Sequence, residues 1–367
     1  LRILRVAADL YPSVMGGIGL HAHEMSKEQI NMGHNLTVYT CIDSNPVISS
    51  TYNYDVHGFK PFMQIFGNSI APSMILDLFK NMHNYDIIHA HSHLCFSTNL
   101  CAILRKMGSS PLVITTHGGL NSQRAPKLVQ NVYNATVAKM TFDAADKIIC
   151  YTDIEKSEMI DFGVKPEKIA VIHNGIDTDR FIPLKEPDFK KKNLLWIGRY
   201  VPGKGVEYLI EAFSLLKQKY PEVSLTMVGR GPKKEKIMQR INELNLQNSI
   251  TIKDFVPNSE IVQLYHSSNV LLLPSLREGV PRVILEAMSC GIPVVCTGLP
   301  HLVDIVDGSG FLVPLKDPDT LAEKTSQILS DPTLAKKFGE NGRKKVVENY
   351  SWKDTVQKTM KLYAELI

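Results

Sequence analysis

The chain has 367 residues, more than one small domain needs, so two domains are the natural expectation. With 44% hydrophobic and 21% charged residues it reads as a folded globular protein, and no stretch reaches the roughly 18 apolar residues of a membrane span. A net charge of +4 argues against a dedicated nucleic-acid binder, although residues 181–367 hold 26 of the 41 basic side chains against 21 of the 37 acidic ones, an excess that suits an anionic ligand or a solvated surface equally.

Ile3 to Ala8 is a short apolar run that predicts a strand, followed by a glycine loop, a helix and a second strand, LTVYT. Strand, glycine loop, helix and strand make the first unit of a nucleotide-fold sheet. Gly16-Gly17-Ile18-Gly19 is not the full dinucleotide fingerprint, and the second strand ends on Tyr39-Thr40 with no acidic residue, so hydride chemistry is not expected. Glycines here let the backbone approach a phosphate or a sugar. Further strands are predicted at 86–91, 111–117, 147–152 and 168–173, with helical runs between most of them, giving a mainly parallel sheet. His89, His91 and His93 alternate as some zinc ligands do, but His93 lies past the strand end, opening the next helix, and no carboxylate or thiolate completes a shell, so no metal site is expected. His117 ends its strand, where side chains emerge at the carboxyl edge of an open α/β sheet. The run from Arg124 to Met140 reads as an amphipathic helix.

The six cysteines, Cys41, Cys95, Cys101, Cys150, Cys290 and Cys296, form no C-x-x-C pair and read as core residues of a reducing compartment. The first residues carry no signal-peptide pattern, so a cytoplasmic location is expected.

HNGIDTDRFIP (173–183) ends the first half, and a lysine-rich stretch leads into a fresh strand, LLWIG. Arg199 follows that strand and Lys204 precedes Gly205 at a helix entrance. Two cations straddling a glycine loop can grip a pyrophosphate. Near Phe255-Val256 another strand runs into a loop. VLLL (270–273) predicts a buried strand, broken by Pro274, Ser275 and Gly279. Pro281 suits the first position of a helix whose apolar residues are Val283, Ile284, Ala287 and Met288, with Gly291 and Pro293 as the stop. That leaves Glu278 in the loop and Glu286 inside the helix. The amides of Gly279, Val280 and Arg282 stand free at a helix entrance, a ready anion site. A carboxylate beside an anion site needs a reason, and a ribose diol is one, because a carboxylate accepts two hydroxyl hydrogens. Asp177-Thr178-Asp179 and Asp317-Pro318-Asp319 read as a turn and a helix cap, not as metal ligands.

Glu278-GVPRVIL-Glu286 resembles the Glu-x7-Glu motif of retaining glycosyltransferases of family 4, the group 1 glycosyltransferases, and the Gly16-Gly17, His117 and Arg199–Lys204 motifs follow in that family's order. The resemblance implies a GT-B fold: two Rossmann-like doubly wound α/β domains facing each other across a deep cleft. An acceptor-binding domain would span 1–176 with a crossover helix at about 350–367, and a donor-binding domain 177–349. It implies transfer of a hexosyl group from a nucleoside diphosphate sugar to a hydroxyl of a glycan, lipid or small molecule, without metal or other cofactor. His117, Glu278, Arg199 and Lys204 would serve the chemistry. Gly16, Gly17, Arg199, Lys204, Val256, Glu278, Gly279, Val280, Pro281, Arg282 and Glu286 would hold the donor, with Val256 at the base and Glu286 on the ribose. Val280-Pro281-Arg282 stand where many relatives have aromatic or glycine residues, and Arg282 could add a phosphate contact or alter donor choice, which leaves the sugar open. The expected partners are the donor and an acceptor, with no nucleic acid, and a peripheral contact at the cytoplasmic membrane face stays open. Two rivals survive: a sugar-nucleotide epimerase of the same fold, and a non-catalytic nucleotide-sugar binder. The four intact side chains Arg199, Lys204, Glu278 and Glu286 speak against the second.

Overall fold

The computed structural model describes residues 1–12, 17–42, 52–108, 110–118, 120 and 125–367. It divides into two compact units, Leu1–Gly175 with Trp352–Ile367, and Ile176–Ser351. In chain order the strands are β1 (Arg2–Ala7), β2 (Asn35–Cys41), β3 (Asp55–Phe59), β4 (Met63–Ile65), β5 (Asn68–Ile70), β6 (Ile87–His91), β7 (Leu112–Thr115), β8 (Lys147–Cys150) and β9 (Ile169–Val171) in the first unit. The second holds β10 (Asn193–Ile197), β11 (Ser224–Val228), β12 (Ile250–Lys253), β13 (Val270–Leu273), β14 (Val294–Thr297) and β15 (Gly310–Val313).

Among the described residues the first unit carries a seven-stranded parallel sheet in the order β3-β2-β1-β6-β7-β8-β9. The second carries a six-stranded parallel sheet in the order β12-β11-β10-β13-β14-β15. The strands are short runs of Val, Ile and Leu buried on both faces, as helices on each side of a parallel sheet require; all four residues of β13 and of β14 are buried. In each sheet the first strand has its successor on one side and a later strand on the other. The order therefore reverses between β1 and β6 and again between β10 and β13, and ligands of open α/β sheets bind outside the carboxyl ends at such a reversal. In the second unit, the two loops at that point are the ones that carry Arg199–Lys204 and Glu278.

Several expectations shift. β7 stops at Thr115, so His117 stands two residues beyond the strand instead of ending it. The helix expected to open at His93 begins at Phe96. The segment before Tyr85, for which no element was predicted, supplies β3, the β4–β5 hairpin and the helix Ser73–Asn81. The amphipathic run is helical from Lys127 to Ala144, with a π-turn over Asn134–Ala138.

Candidate active site

Gly205 brings the two loops of the second unit together. It has φ +63°, and a Cβ there would lie 1.8 Å from the Pro274 carbonyl oxygen, so the loop after β10 can press on the loop after β13 only at a glycine. Leu276 N donates to Gly203 O at 2.8 Å in the same contact. Gly205 then opens the helix Val206–Lys219. This places Lys204 Nζ 2.5 Å from Glu278 Oε1, with the lysine side chain 22% exposed and the glutamate 8%. At that burial the pair is more than a surface ion pair, since removing one partner strands a charge away from water.

The helix after the β13 loop runs from Arg282 to Ser289, and no side chain caps its N-terminus. Pro281 is the cap residue, with φ −73° and ψ 118°, one place earlier than its expected first-turn position. Gly279 is exposed and Val280 half-buried at this helix mouth, and a Cβ on Gly279 would meet open space. Glu286 lies a turn into the helix with both oxygens engaged: Tyr265 Oη donates to Oε2 at 2.7 Å, and Arg282 Nε lies 3.6 Å from Oε1. Tyr265 is fully buried, and burial together with the Glu286 charge holds its hydroxyl well above its ordinary pKa, so it acts as a donor. Arg199 is exposed and forms no ion pair among the described residues. Val256 is half-buried in the loop beyond β12, beside Phe255, over which the Arg230 guanidinium sits at 6.0 Å. Asp317 caps its helix by accepting from Thr320 N at 2.9 Å, and Asp177 accepts from Arg180 N at 3.0 Å.

In the first unit, Gly17 opens the helix Gly17–Asn31, while Gly16 lies outside the described residues. His89 and His91 stack at 4.5 Å on β6, but His93 packs apart from them on Phe142. His91 instead meets two imidazoles the sequence kept separate. His21, His91 and His117 bring one nitrogen each to within 4.8 Å of one another, a grouping that could hold a metal ion. Four of their six ring nitrogens are paired: His91 Nδ1 with His117 Nε2 at 2.8 Å, the Tyr151 hydroxyl with His117 Nδ1 at 2.9 Å, and His21 Nδ1 with Asn174 Oδ1 at 2.9 Å, while the buried His21 Nε2 and His91 Nε2 meet no hydrogen-bond partner among the described residues. Both ring nitrogens of His117 are thus engaged. Burial pushes the His117 imidazole down to about 3, and burial first, then charge from neighbours including Arg5 and His117, holds His21, His89 and His91 well below the usual range. Arg5, itself fully buried, donates to Ser26 Oγ at 2.8 Å and Gln29 Oε1 at 2.6 Å.

Two family descriptions match this chain: Glycosyltransferase Family 4 over residues 15–180 and Glycosyl transferases group 1 over residues 177–345. Together they span nearly its whole length. The chain belongs to the group 1 glycosyltransferases. An uncharacterised glycosyltransferase of Methanocaldococcus jannaschii is 25% identical over 99% of this chain and 98% of its own. The phosphatidylinositol N-acetylglucosaminyltransferase gpi3 subunit of Schizosaccharomyces pombe is 26% identical over 98% of this chain and 79% of its own. Among solved structures, Anabaena HepE in complex with UDP superposes with a TM-score of 0.81 at 20% identity, covering 100% of each chain. That likeness carries the fold, two Rossmann-like units of the GT-B class.

Sequence reading of this glycosyltransferase missed three side chains at these places. Tyr265 stands 21 residues before Glu286 on another helix. His21 is one of two histidines in a helix with no other polar pattern to single it out, and Tyr151 follows β8. Only for Tyr151 was there a signal: like His117, it falls at the carboxyl edge of the sheet.

Proposed function

We propose that this glycosyltransferase retains configuration and, without a metal, moves a hexosyl group from a UDP- or GDP-sugar to a hydroxyl of a glycan, lipid or small-molecule acceptor. The observation that carries the reading is the half-buried Lys204–Glu278 pair beside an uncapped helix mouth, with Glu286 held by Tyr265 one turn further in. A diphosphate takes the helix amides of Gly279, Val280 and Arg282 together with Lys204 and Arg199. Glu286 accepts from the ribose hydroxyls and Val256 lines the base. Glu278 keeps Lys204 extended and orients the sugar ring.

In the reaction the bond between the anomeric carbon and the β-phosphate oxygen breaks, and charge builds on that phosphate. Fixed donors aimed at developing charge each contribute about 3 kcal/mol to lowering the barrier, and here they take the part a metal plays elsewhere. The acceptor oxygen bonds the anomeric carbon on the face the phosphate leaves, and the departing phosphate takes the acceptor's proton. His117, both of whose ring nitrogens are paired within the first unit, would exchange one of those bonds to donate an N–H to a sugar hydroxyl. That HepE holds UDP supports a uridine donor.

Replacing Lys204 with alanine tests the assignment: release of UDP from UDP-glucose should fall by about two orders of magnitude, the usual cost of one such donor. Unchanged turnover refutes the phosphate role. Mass-neutral conversion of donor in the absence of acceptor would favour the epimerase. A melting-temperature screen of UDP, GDP and ADP with their sugars identifies the base through ligand-linked stabilisation.

A peripheral membrane contact belongs to the same proposal. Among the described residues no helix is long and apolar enough to cross a membrane. Residues 61–76 carry no charge, and Phe62, Met63, Ile65, Phe66 and Leu76, with Phe79 beyond, are exposed between the exposed Lys60 and Lys80. An apolar segment edged by lysines, with Asp77 its one acidic residue, suits an anionic lipid surface, and the name of the S. pombe relative carries phosphatidylinositol. Co-sedimentation with phosphatidylglycerol vesicles, lost in a Phe62→Ser, Leu76→Ser, Phe79→Ser variant, is the expected result; equal behaviour of the two proteins refutes it.

A further inference from the structure

The first unit holds a side-chain cluster that the proposed transfer uses only in part. His21 stands on the helix Gly17–Asn31, His91 ends β6, and His117 follows the neighbouring strand β7 at φ +60°. Two strand ends and a helix thus bring three imidazoles together, with one nitrogen of each within 4.8 Å of the other two. His21 and His91 are buried, and His117 is half-buried. The cluster's own hydrogen bonds do not satisfy it. His21 Nε2 and His91 Nε2 meet no hydrogen-bond partner among the described residues, on rings whose centres lie 5.5 Å apart. Buried ring nitrogens are normally paired, so two such exceptions at one place call for a group the chain does not supply.

We propose that His21, His91 and His117 form a site for one zinc-class dication, held by three imidazole nitrogens with a fourth place open to water, and that filling it takes His117 away from the sugar. A neutral imidazole carries one lone pair, which either ring nitrogen can hold, and imidazole suits zinc, nickel and cobalt. No carboxylate joins the group among the described residues, so magnesium and calcium, which want oxygen ligands, are poorly served. Zinc sits about 2.0–2.1 Å from an imidazole nitrogen, which puts the ligands of a tetrahedral site about 3.4 Å apart, so the widest separation has at most about 1.4 Å to close. Coordination through His117 Nε2 breaks its 2.8 Å bond to His91 Nδ1 and keeps the Tyr151 hydroxyl on Nδ1. Coordination through the unpartnered His21 Nε2 keeps Asn174 on His21 Nδ1. Outer partners of this kind are what orient metal-bound histidines. The ion is an inhibitor and not a cofactor, because a His117 Nε2 bound to metal has no N–H to give a sugar hydroxyl. That half of the proposal rests on the proposed transfer, and the binding half does not.

Untagged protein stripped with EDTA and dialysed is titrated with zinc chloride by calorimetry and with cobalt chloride by visible absorption. One zinc per chain and the intense cobalt spectrum of a four-coordinate ion are expected. X-ray absorption of the zinc form should show imidazole neighbours at about 2.0–2.1 Å. His21→Leu and His91→Leu should each weaken zinc about a hundredfold or more, since losing even an outer partner costs about 10–100-fold. His57→Leu, at an exposed histidine beside Asp77, should leave binding unchanged. Release of UDP from UDP-glucose should fall about tenfold at zinc tenfold above its Kd, recover with EDTA, and ignore magnesium. Absence of stoichiometric zinc from the wild type overturns the site, whether or not the variants fold. Zinc that binds folded His21→Leu and His91→Leu as tightly as wild type overturns it too. Stoichiometric binding with full turnover overturns the control of His117. Zinc held by the three imidazoles in a protein that turns over no sugar nucleotide leaves the site standing and removes the proposed transfer.

Discussion

Two carboxylates eight residues apart receive different partners, and the partners give them different work. Glu278 faces an ammonium at 2.5 Å, whereas Glu286 faces a buried phenol at 2.7 Å and a guanidinium at 3.6 Å. A lysine can be drawn from its carboxylate toward an incoming phosphate because its ammonium has three donors to distribute. A phenol has one, so Tyr265 fixes Glu286 Oε2, while Oε1, with the Arg282 guanidinium 3.6 Å away, keeps lone pairs for hydroxyls. Tyr265→Phe removes that single bond to a charged acceptor. On the proposed donor site, where the ribose would be held equally in ground and transition states, its expected effect is a rise of about tenfold in KM for the donor with little change in kcat. Initial-rate kinetics with UDP-glucose check it; a kcat loss at constant KM would show that Glu286 acts in the chemical step. At this scale the sequence was legible where function concentrates chemistry on one short stretch. Glu278, Glu286, Lys204 and the helix mouth all sit beside glycines and prolines that announce the loops. Tyr265 and His21 lie on helices remote in sequence, and a helix pattern reports burial without reporting which polar atom meets which.

Elements are positioned by what the backbone permits at their ends. The contact of Gly205 with the Pro274 carbonyl joins the loop after β10 to the loop after β13, and the lysine one residue earlier inherits its place from that contact. Gly203, two residues away, has φ +92°, and a Cβ added there would meet nothing within 4 Å. The two glycines therefore separate strain from collision. Gly203→Ala should cost only the left-handed conformational penalty, about 1–2 kcal/mol. Gly205→Ala adds a backbone collision to the same penalty, so it should be clearly the more destabilising in urea unfolding and should also lose turnover as Lys204 is displaced from Glu278. Equal costs would mean the loops are free to separate. Strands of β-branched residues buried on both sides were legible, as were the glycines and prolines closing them. The β3 strand and the β4–β5 hairpin were not: their burial is partial, DVHGF and MQI show no clean alternation, and their pairing comes from neighbours supplied by tertiary structure.

At the scale of the whole molecule, titration falls unevenly on the two units. The first unit buries His21, His89, His91 and His93 and half-buries His117 and His23; desolvation is the leading cause in each, with His117 down to about 3 and His93 and His23 to about 4. These groups are neutral when folded and take up protons when unfolded as soon as pH drops below the ordinary imidazole value of about 6.5. Their contribution is therefore fully present above about pH 6.5 and is lost progressively as pH falls toward the depressed folded values, at about 1.4 kcal/mol per histidine per pH unit. Five or more such groups make the loss steep, even though stability is otherwise flat in this range. The second unit holds His266 and His301, and neither is fully buried. The chain has two tryptophans, Trp196 in the second unit and Trp352 in the first, so single-tryptophan variants made with phenylalanine report on each separately. Between pH 7 and about 5.5, the urea midpoint followed by Trp352 should fall well ahead of that followed by Trp196, and the split should close again above pH 7. Midpoints that move together would mean that the histidines are not the groups taking up protons, and that the cluster around His117 is more open to water than its burial implies.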